Sequence, residues 1–144
     1  MSDTGRLRDT YVAAIQHDLA ELPEKTTLVG VVREPTSWFH AAVDENRPAL
    51  APPTGLLEDV RAEQETLESE GVADAVAHNQ AMAAVDFDRR YREHLDDSDA
   101  ASSAIEGLIE RLRGGKDVAL VCYENTDEKR CHRTLLRERI EKRR

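Results

Sequence analysis

Two short apolar runs constrain this chain more than any other feature. Thr26-Thr27-Leu28-Val29-Gly30-Val31-Val32-Arg33 and Asp117-Val118-Ala119-Leu120-Val121-Cys122 are rich in β-branched residues and nearly continuous in hydrophobicity. A strand with one wet face would alternate polar and apolar residues, whereas these runs ask for burial on both faces. The arrangement that supplies it is a parallel sheet between helices. Pro35 ends the first run, because proline cannot donate to a ladder, and Gly114-Gly115 introduce the second.

The remaining segments read mainly as helices. Thr54 is expected to cap a helix through Leu56, Leu57, Val60 and Leu67 that stops at Gly71. A helix, or a pair of helices, is expected over about 73–95, with Val85, Phe87 and Tyr91 turned inward. Another starts at Ser102 or Ser103, buries Ile105, Leu108, Ile109 and Leu112, and ends at Gly114. A basic C-terminal helix near 131–143 carries Leu135, Leu136 and Ile140 on its inner face. Residues 46–54 hold Pro48, Pro52 and Pro53 and are expected to be a loop. Residues 9–16 read two ways: Val12, Ile15, Leu19 and Leu22 recur at helical spacing, yet Thr10-Tyr11-Val12 would suit a strand.

A chain of 144 residues is long enough for one core, and two cysteines make no disulfide framework. The polar opening Met1-Ser2-Asp3-Thr4-Gly5 lacks the apolar run of a signal peptide, and no stretch approaches a membrane span. A cytoplasmic protein away from the membrane is the expectation. Acidic residues number 29 against 20 Lys plus Arg, of which only Lys25, Lys116, Lys129 and Lys142 are lysines. Many carboxylates, few lysines and few large aromatics suit a salt-rich, halophilic cytoplasm, where screening mutes their repulsion. The charge is uneven. Residues 129–144 carry +6, so residues 1–128 carry −15 of the net −9. A solvated helix end complementing its dipole accounts for part of that basic tail. An acidic partner or nucleic acid is the alternative, disfavoured for nucleic acid if the medium is salty.

The chemistry gathers after the second run. Cys122 ends a strand at the edge where open α/β sheets bind ligands, and Cys131-His132-Arg133 open the next helix, whose free N–H groups favour an anion. Arg130 and Arg133 beside Cys131 favour thiolate and suit phosphate or carboxylate. Glu124 sits near the loop mouth. If the two strands are parallel neighbours, Arg33 shares their edge and joins an anion site, with Ser37 as a hydroxyl donor. Tyr91 can reach the same place. A phosphatase-like or rhodanese-like loop needs arginine six positions after its cysteine; from Cys122 that position is Glu128, so the signature is absent. Adjacent Cys131 and His132 point different ways and no fourth ligand is evident, so no metal is expected. Cys122 alone reads as a core residue. A Cys122–Cys131 redox pair lacks C-x-x-C spacing. His17, His40, His78 and His94 stand alone and read as structural or solvated. Trp38 and Phe39 read as packing beneath the proline loop.

At these residues the chain resembles the domain-of-unknown-function 488 (DUF 488) family, in a halophilic form. The resemblance is carried by V-A-L-V-C-Y-E at 118–124 with C-H-R at 131–133, and by V-V-R-E-P at 31–35 and L-A-P-P, T-G-L-L at 50–57. It implies a compact α/β domain, tips residues 9–16 toward a strand near 9–15, and marks the Phe87–Leu95 helix with Tyr91 as a family element. It implies little about activity.

The expectation is therefore a single α/β domain over 1–144, with a small, mainly parallel sheet flanked by helices and strands near 9–15, 26–33 and 117–122. Its function is expected at an anion-binding or thiol-dependent site. As an enzyme it would use Cys131 (or Cys122) as nucleophile and His132 as acid or base, with Arg33, Arg130, Arg133 and Ser37 gripping a small anionic ligand. Cys122, Glu124 and Tyr91 support them. The alternatives are a non-catalytic module docking through its basic helix and a structural role for C-H-R. Cofactor and oligomeric state are unknown from the residues.

Overall fold

The protein is described by a computed structural model over residues 4–124 and 129–144. Both apolar runs form strands, β4 at Val118–Cys122 and β2 at Thr27–Gly30; β2 is shorter than the expected 26–33, because the Asn46 side chain takes both backbone groups of Val32. With β1 (Leu7–Tyr11) and β3 (Glu45–Asn46) they make a four-stranded, wholly parallel sheet in the order β1-β4-β2-β3. All five residues of β4 are buried because it lies between β1 and β2 under helices on both faces. Gly30 closes β2 without a side chain for a steric reason: a Cβ there would stand 2.5 Å from the Phe39 ring and 2.6 Å from Asn46 Oδ1.

Helices fill the connections: α1 (Val12–Gln16), α2 (Ser37–Ala42), α3 (Thr54–Ser69), α4 (Asp74–Ala84), α5 (Phe87–Asp97), α6 (Asp99–Arg113) and α7 (His132–Arg143). The result is the single α/β domain with a small parallel sheet that the two runs demanded.

Several boundaries differ from expectation. The first strand occupies residues 7–11, not 9–15. β4 ends opposite Tyr11 at Cys122, so the chain beyond has no ladder partner and the helical spacing of Val12 and Ile15 prevails. The span 73–95 is a pair of helices, broken where Asp86 takes a left-handed conformation with φ 57°. α6 begins at Asp99 rather than at Ser102 or Ser103, because Ser98 accepts a hydrogen bond from the Ala101 N–H and caps it first. Thr54 lies inside α3, with Pro53 as the flanking residue. The proline segment expected to be a loop holds part of β3 and a 3-10 turn at Pro48–Leu50.

That proline segment is buried in the core at Leu50 and Ala51, and its carbonyls need partners there. The His94 Nε2–H donates to Ala49 O at 2.8 Å and the Tyr91 hydroxyl to Leu50 O at 2.6 Å. Arg33 donates through Nη2 to Ala51 O and through Nε to Pro52 O, at 3.0 and 3.2 Å. Four successive carbonyls are thus held by side chains from α5 and from the end of β2.

Candidate thiol site at the sheet edge

In a parallel sheet every carboxyl end falls on one edge. Here that edge brings together the Cys122 end of β4, the Val31–Arg33 segment after β2 and the N-terminus of α7. Asn46 at the end of β3 fixes the second piece: its Nδ2 donates to Val32 O and its Oδ1 accepts from the Val32 N–H, at 3.0 and 3.2 Å. The third piece is fixed from α4. The His78 Nε2–H donates to Arg130 O and Asn79 Oδ1 accepts from the Arg130 N–H, both at 2.8 Å. The residue before Cys131 is therefore clamped on both sides of its backbone.

These pieces surround an open cavity of about 420 Å³. Cys122, Cys131 and His132 line it, Arg33, Arg61, Arg130 and His78 supply positive or proton-donating groups, and Val32, Leu57, Val60, Met82 and Phe87 give it an apolar wall. Glu34, Glu58 and Glu124 also reach its lining.

Cys122 Sγ and Cys131 Sγ stand 2.9 Å apart, both buried and both free thiols. Cys131 caps α7 with an extended backbone. The Cys122 S–H hydrogen bond, the backbone N–H of Arg133 and the nearby Arg133 guanidinium together hold the Cys131 thiol below its ordinary value of 9.0, against the opposing effect of burial. Cys122 is pushed up, first because it is the donor to Cys131 and then by burial. Of the two, Cys131 is the one drawn toward thiolate and Cys122 the one drawn toward thiol.

His132 completes the arrangement. Its Nε2 lies 2.6 Å from Val31 O, and a carbonyl brings no proton, so Nε2–H donates. Nδ1 is left as an acceptor, 3.6 Å from Cys131 Sγ. Burial holds the imidazole below its ordinary 6.5, which keeps it neutral at neutral pH. The Tyr91 ring meets it edge-on with centroids 5.4 Å apart.

Arg133 sits behind the cysteines. It is 2 % exposed, donates through Nε to Asp9 Oδ2 at 2.8 Å, and through Nη1 to Thr10 O, Cys122 Sγ (3.1 Å) and Glu124 O (3.2 Å). It does not line the cavity, and neither does Ser37, which is exposed at the start of α2. Tyr91 is buried against His132 and the proline segment, away from the lining. Trp38 and Phe39 pack on Tyr123, at centroid distances of 5.5 and 4.8 Å. Glu128, where a rhodanese-like arginine would fall, lies outside the described residues, as do 125–127. Among the described residues no group of three or more His, Cys, Asp or Glu could hold a metal ion.

The arginines of the basic tail pair within the chain. Arg137 pairs with Asp9 and Arg139 with Asp96, each at 2.5 Å, Arg143 pairs with Glu106, and Arg144 with Glu141 at 3.4 Å. Arg130 pairs with Asp88 and Lys129 with Asp74, at 2.8 and 2.7 Å.

Sequence reading missed three residues that position this site, Asp9, Asn46 and Asn79; His78, read as structural or solvated, has a structural role in holding Arg130 O. His78-Asn79 carried a signal, being the one strongly polar pair before Gln80 in the alanine-rich run 73–84. Asp9 and Asn46 had none, since their partners are distant in sequence.

Fold and site define a small parallel α/β domain with a cysteine pair and a histidine at the carboxyl edge of its sheet. The chain belongs to the DUF488 family: residues 11–144 match the model described as the active DUF488-N3 subclade. No curated protein and no solved structure matched the chain.

Proposed function

We propose that this chain carries a thiol-dependent active site for a small anionic substrate, with Cys131 as the nucleophile. One observation carries the reading: Cys131 lines the cavity with its sulfur 2.9 Å from Cys122 Sγ, and hydrogen bonds from Cys122 and from the N-terminus of α7 draw it toward thiolate. A thiolate so held is the reactive form of cysteine. His132 Nδ1 takes the Cys131 proton and returns it to a leaving group. Arg33, Arg61 and Arg130 draw the anion to the mouth, and Arg133 positions Cys122 from behind. The word "active" in the description of the matching subclade accords with this. Docking of nucleic acid through the basic helix is disfavoured, because its arginines already pair with Asp9, Asp96 and Glu106. Two free cysteines and the acidic composition support a reducing, salt-rich cytoplasm.

Alkylation tests the reading. Iodoacetamide should label Cys131 before Cys122, with a pH midpoint below 9.0 and with protection by phosphate or sulfate. Cys131→Ser should abolish the fast phase. An inert Cys131 in folded protein would overturn the assignment.

A further inference from the structure

We infer that Cys122 and Cys131 form a reversible dithiol–disulfide pair that exchanges with small disulfides, an inference that rests on Cys131 being the cavity's nucleophile. Their sulfurs are 2.9 Å apart, so closing to the ~2.05 Å of a disulfide bond needs a shift of under an ångström. The two differ in access: both line the cavity, but Cys131 is 7 % exposed and Cys122 only 1 %, so an incoming reagent meets Cys131 first. Any adduct on Cys131 then has the Cys122 sulfur as its immediate neighbour. Arg133 Nη1, 3.1 Å from Cys122 Sγ, supplies a cation to stabilise Cys122 as it ionises. The nine-residue separation hides this pair from a C-x-x-C search, although the strand end and helix start bring the two sulfurs into contact.

The chemistry balances with the disulfide as the sole oxidant. The Cys131 thiolate attacks one sulfur of R–S–S–R, forming Cys131–S–S–R and releasing RS⁻. Cys122 then attacks Cys131 Sγ, forming the Cys122–Cys131 bond and releasing the second RS⁻. The Cys131 proton, held by His132, passes to the first departing thiolate, and the Cys122 proton passes to the second. Two protein thiols are oxidised and one substrate disulfide is reduced to two thiols.

The experiment is intact-mass analysis of the full chain after exposure to oxidised glutathione, an anionic disulfide, in parallel with iodoacetamide labelling. Wild type should lose two hydrogens and regain them with dithiothreitol. Cys122→Ser should stop with one glutathione attached at Cys131, and Cys131→Ser should show neither product in the same interval. Cys122→Ala serves as a second variant if serine at that buried position lowers the melting temperature. Wild type that retains glutathione without closing the internal bond overturns the dithiol pair, even if Cys131 alkylates as proposed. If Cys131 is inert to iodoacetamide as well, the nucleophile reading falls with it.

Discussion

At the residue scale, Arg133 is a buried cation held by one carboxylate, two carbonyls and a sulfur. Removing it takes one hydrogen bond each from Thr10 O, Glu124 O and the Asp9 carboxylate, which keeps its pair with the exposed Arg137. Arg133→Ala should therefore cost about 3 kcal/mol, read from urea unfolding, since the partners lose their bonds inside the protein. Lysine restores charge but not the fork, so Arg133→Lys should recover only part of it. His132 predicts a pH dependence. Its folded-state value is depressed, so between that value and 6.5 the unfolded chain binds a proton that the folded chain refuses. The stability that His132 confers is complete above 6.5 and is lost as pH falls. His132→Gln keeps an N–H for Val31 O without titrating. Wild type should lose stability relative to it on acidification below 6.5, and parallel pH curves for the two proteins would contradict the assignment.

At the element scale, the proline segment shows why a loop can be as fixed as a helix. Prolines remove N–H donors, and burial of Leu50 and Ala51 removes water, so the carbonyls of 49–52 depend on His94, Tyr91 and Arg33. Tyr91→Phe should cost about 1–3 kcal/mol in chemical denaturation, because Leu50 O loses its donor while the ring still packs. A change within error would show that Leu50 O finds another partner. In this chain the V-V-R-E-P and L-A-P-P segments are joined physically: Arg33 of the first holds the Ala51 and Pro52 carbonyls of the second. Arg33 was expected as an anion ligand. It reaches the cavity, and it also carries this structural duty.

At the scale of the whole molecule, an acidic body is clasped by a basic C-terminal helix. The individual ion pairs on the surface contribute little, about 0–1 kcal/mol each, and salt weakens them. Self-repulsion among the excess carboxylates is the opposing effect, and at a net charge of −9 it should dominate. Molar KCl is therefore expected to raise the melting temperature, checked by thermal scans from dilute buffer upward. A flat or falling melting temperature would tell against the halophilic reading. Much of this architecture was legible in the residues. The apolar runs at 26–33 and 117–122 specified strands covered on both faces, and Cys131-His132-Arg133 marked a helix start with reactive groups. Legibility failed where long-range pairing decided. Glu45-Asn46 has no strand signature, and it pairs only because β2 offers an open edge beside it. Residues 12–16 satisfied two local patterns, and the end of β4 chose between them.

The sequence by itself determined the class of fold and the place to look, because hydrophobic period and residue type are local properties. Only the tertiary structure decided what the reactive groups touch. It turned Arg133 inward to Asp9, set Cys122 against Cys131, assigned the His132 proton through Val31 O, and paired the basic tail with acids far along the chain. Those outcomes depend on which strands lie side by side, and that is settled by burying the whole core at once rather than by any one segment.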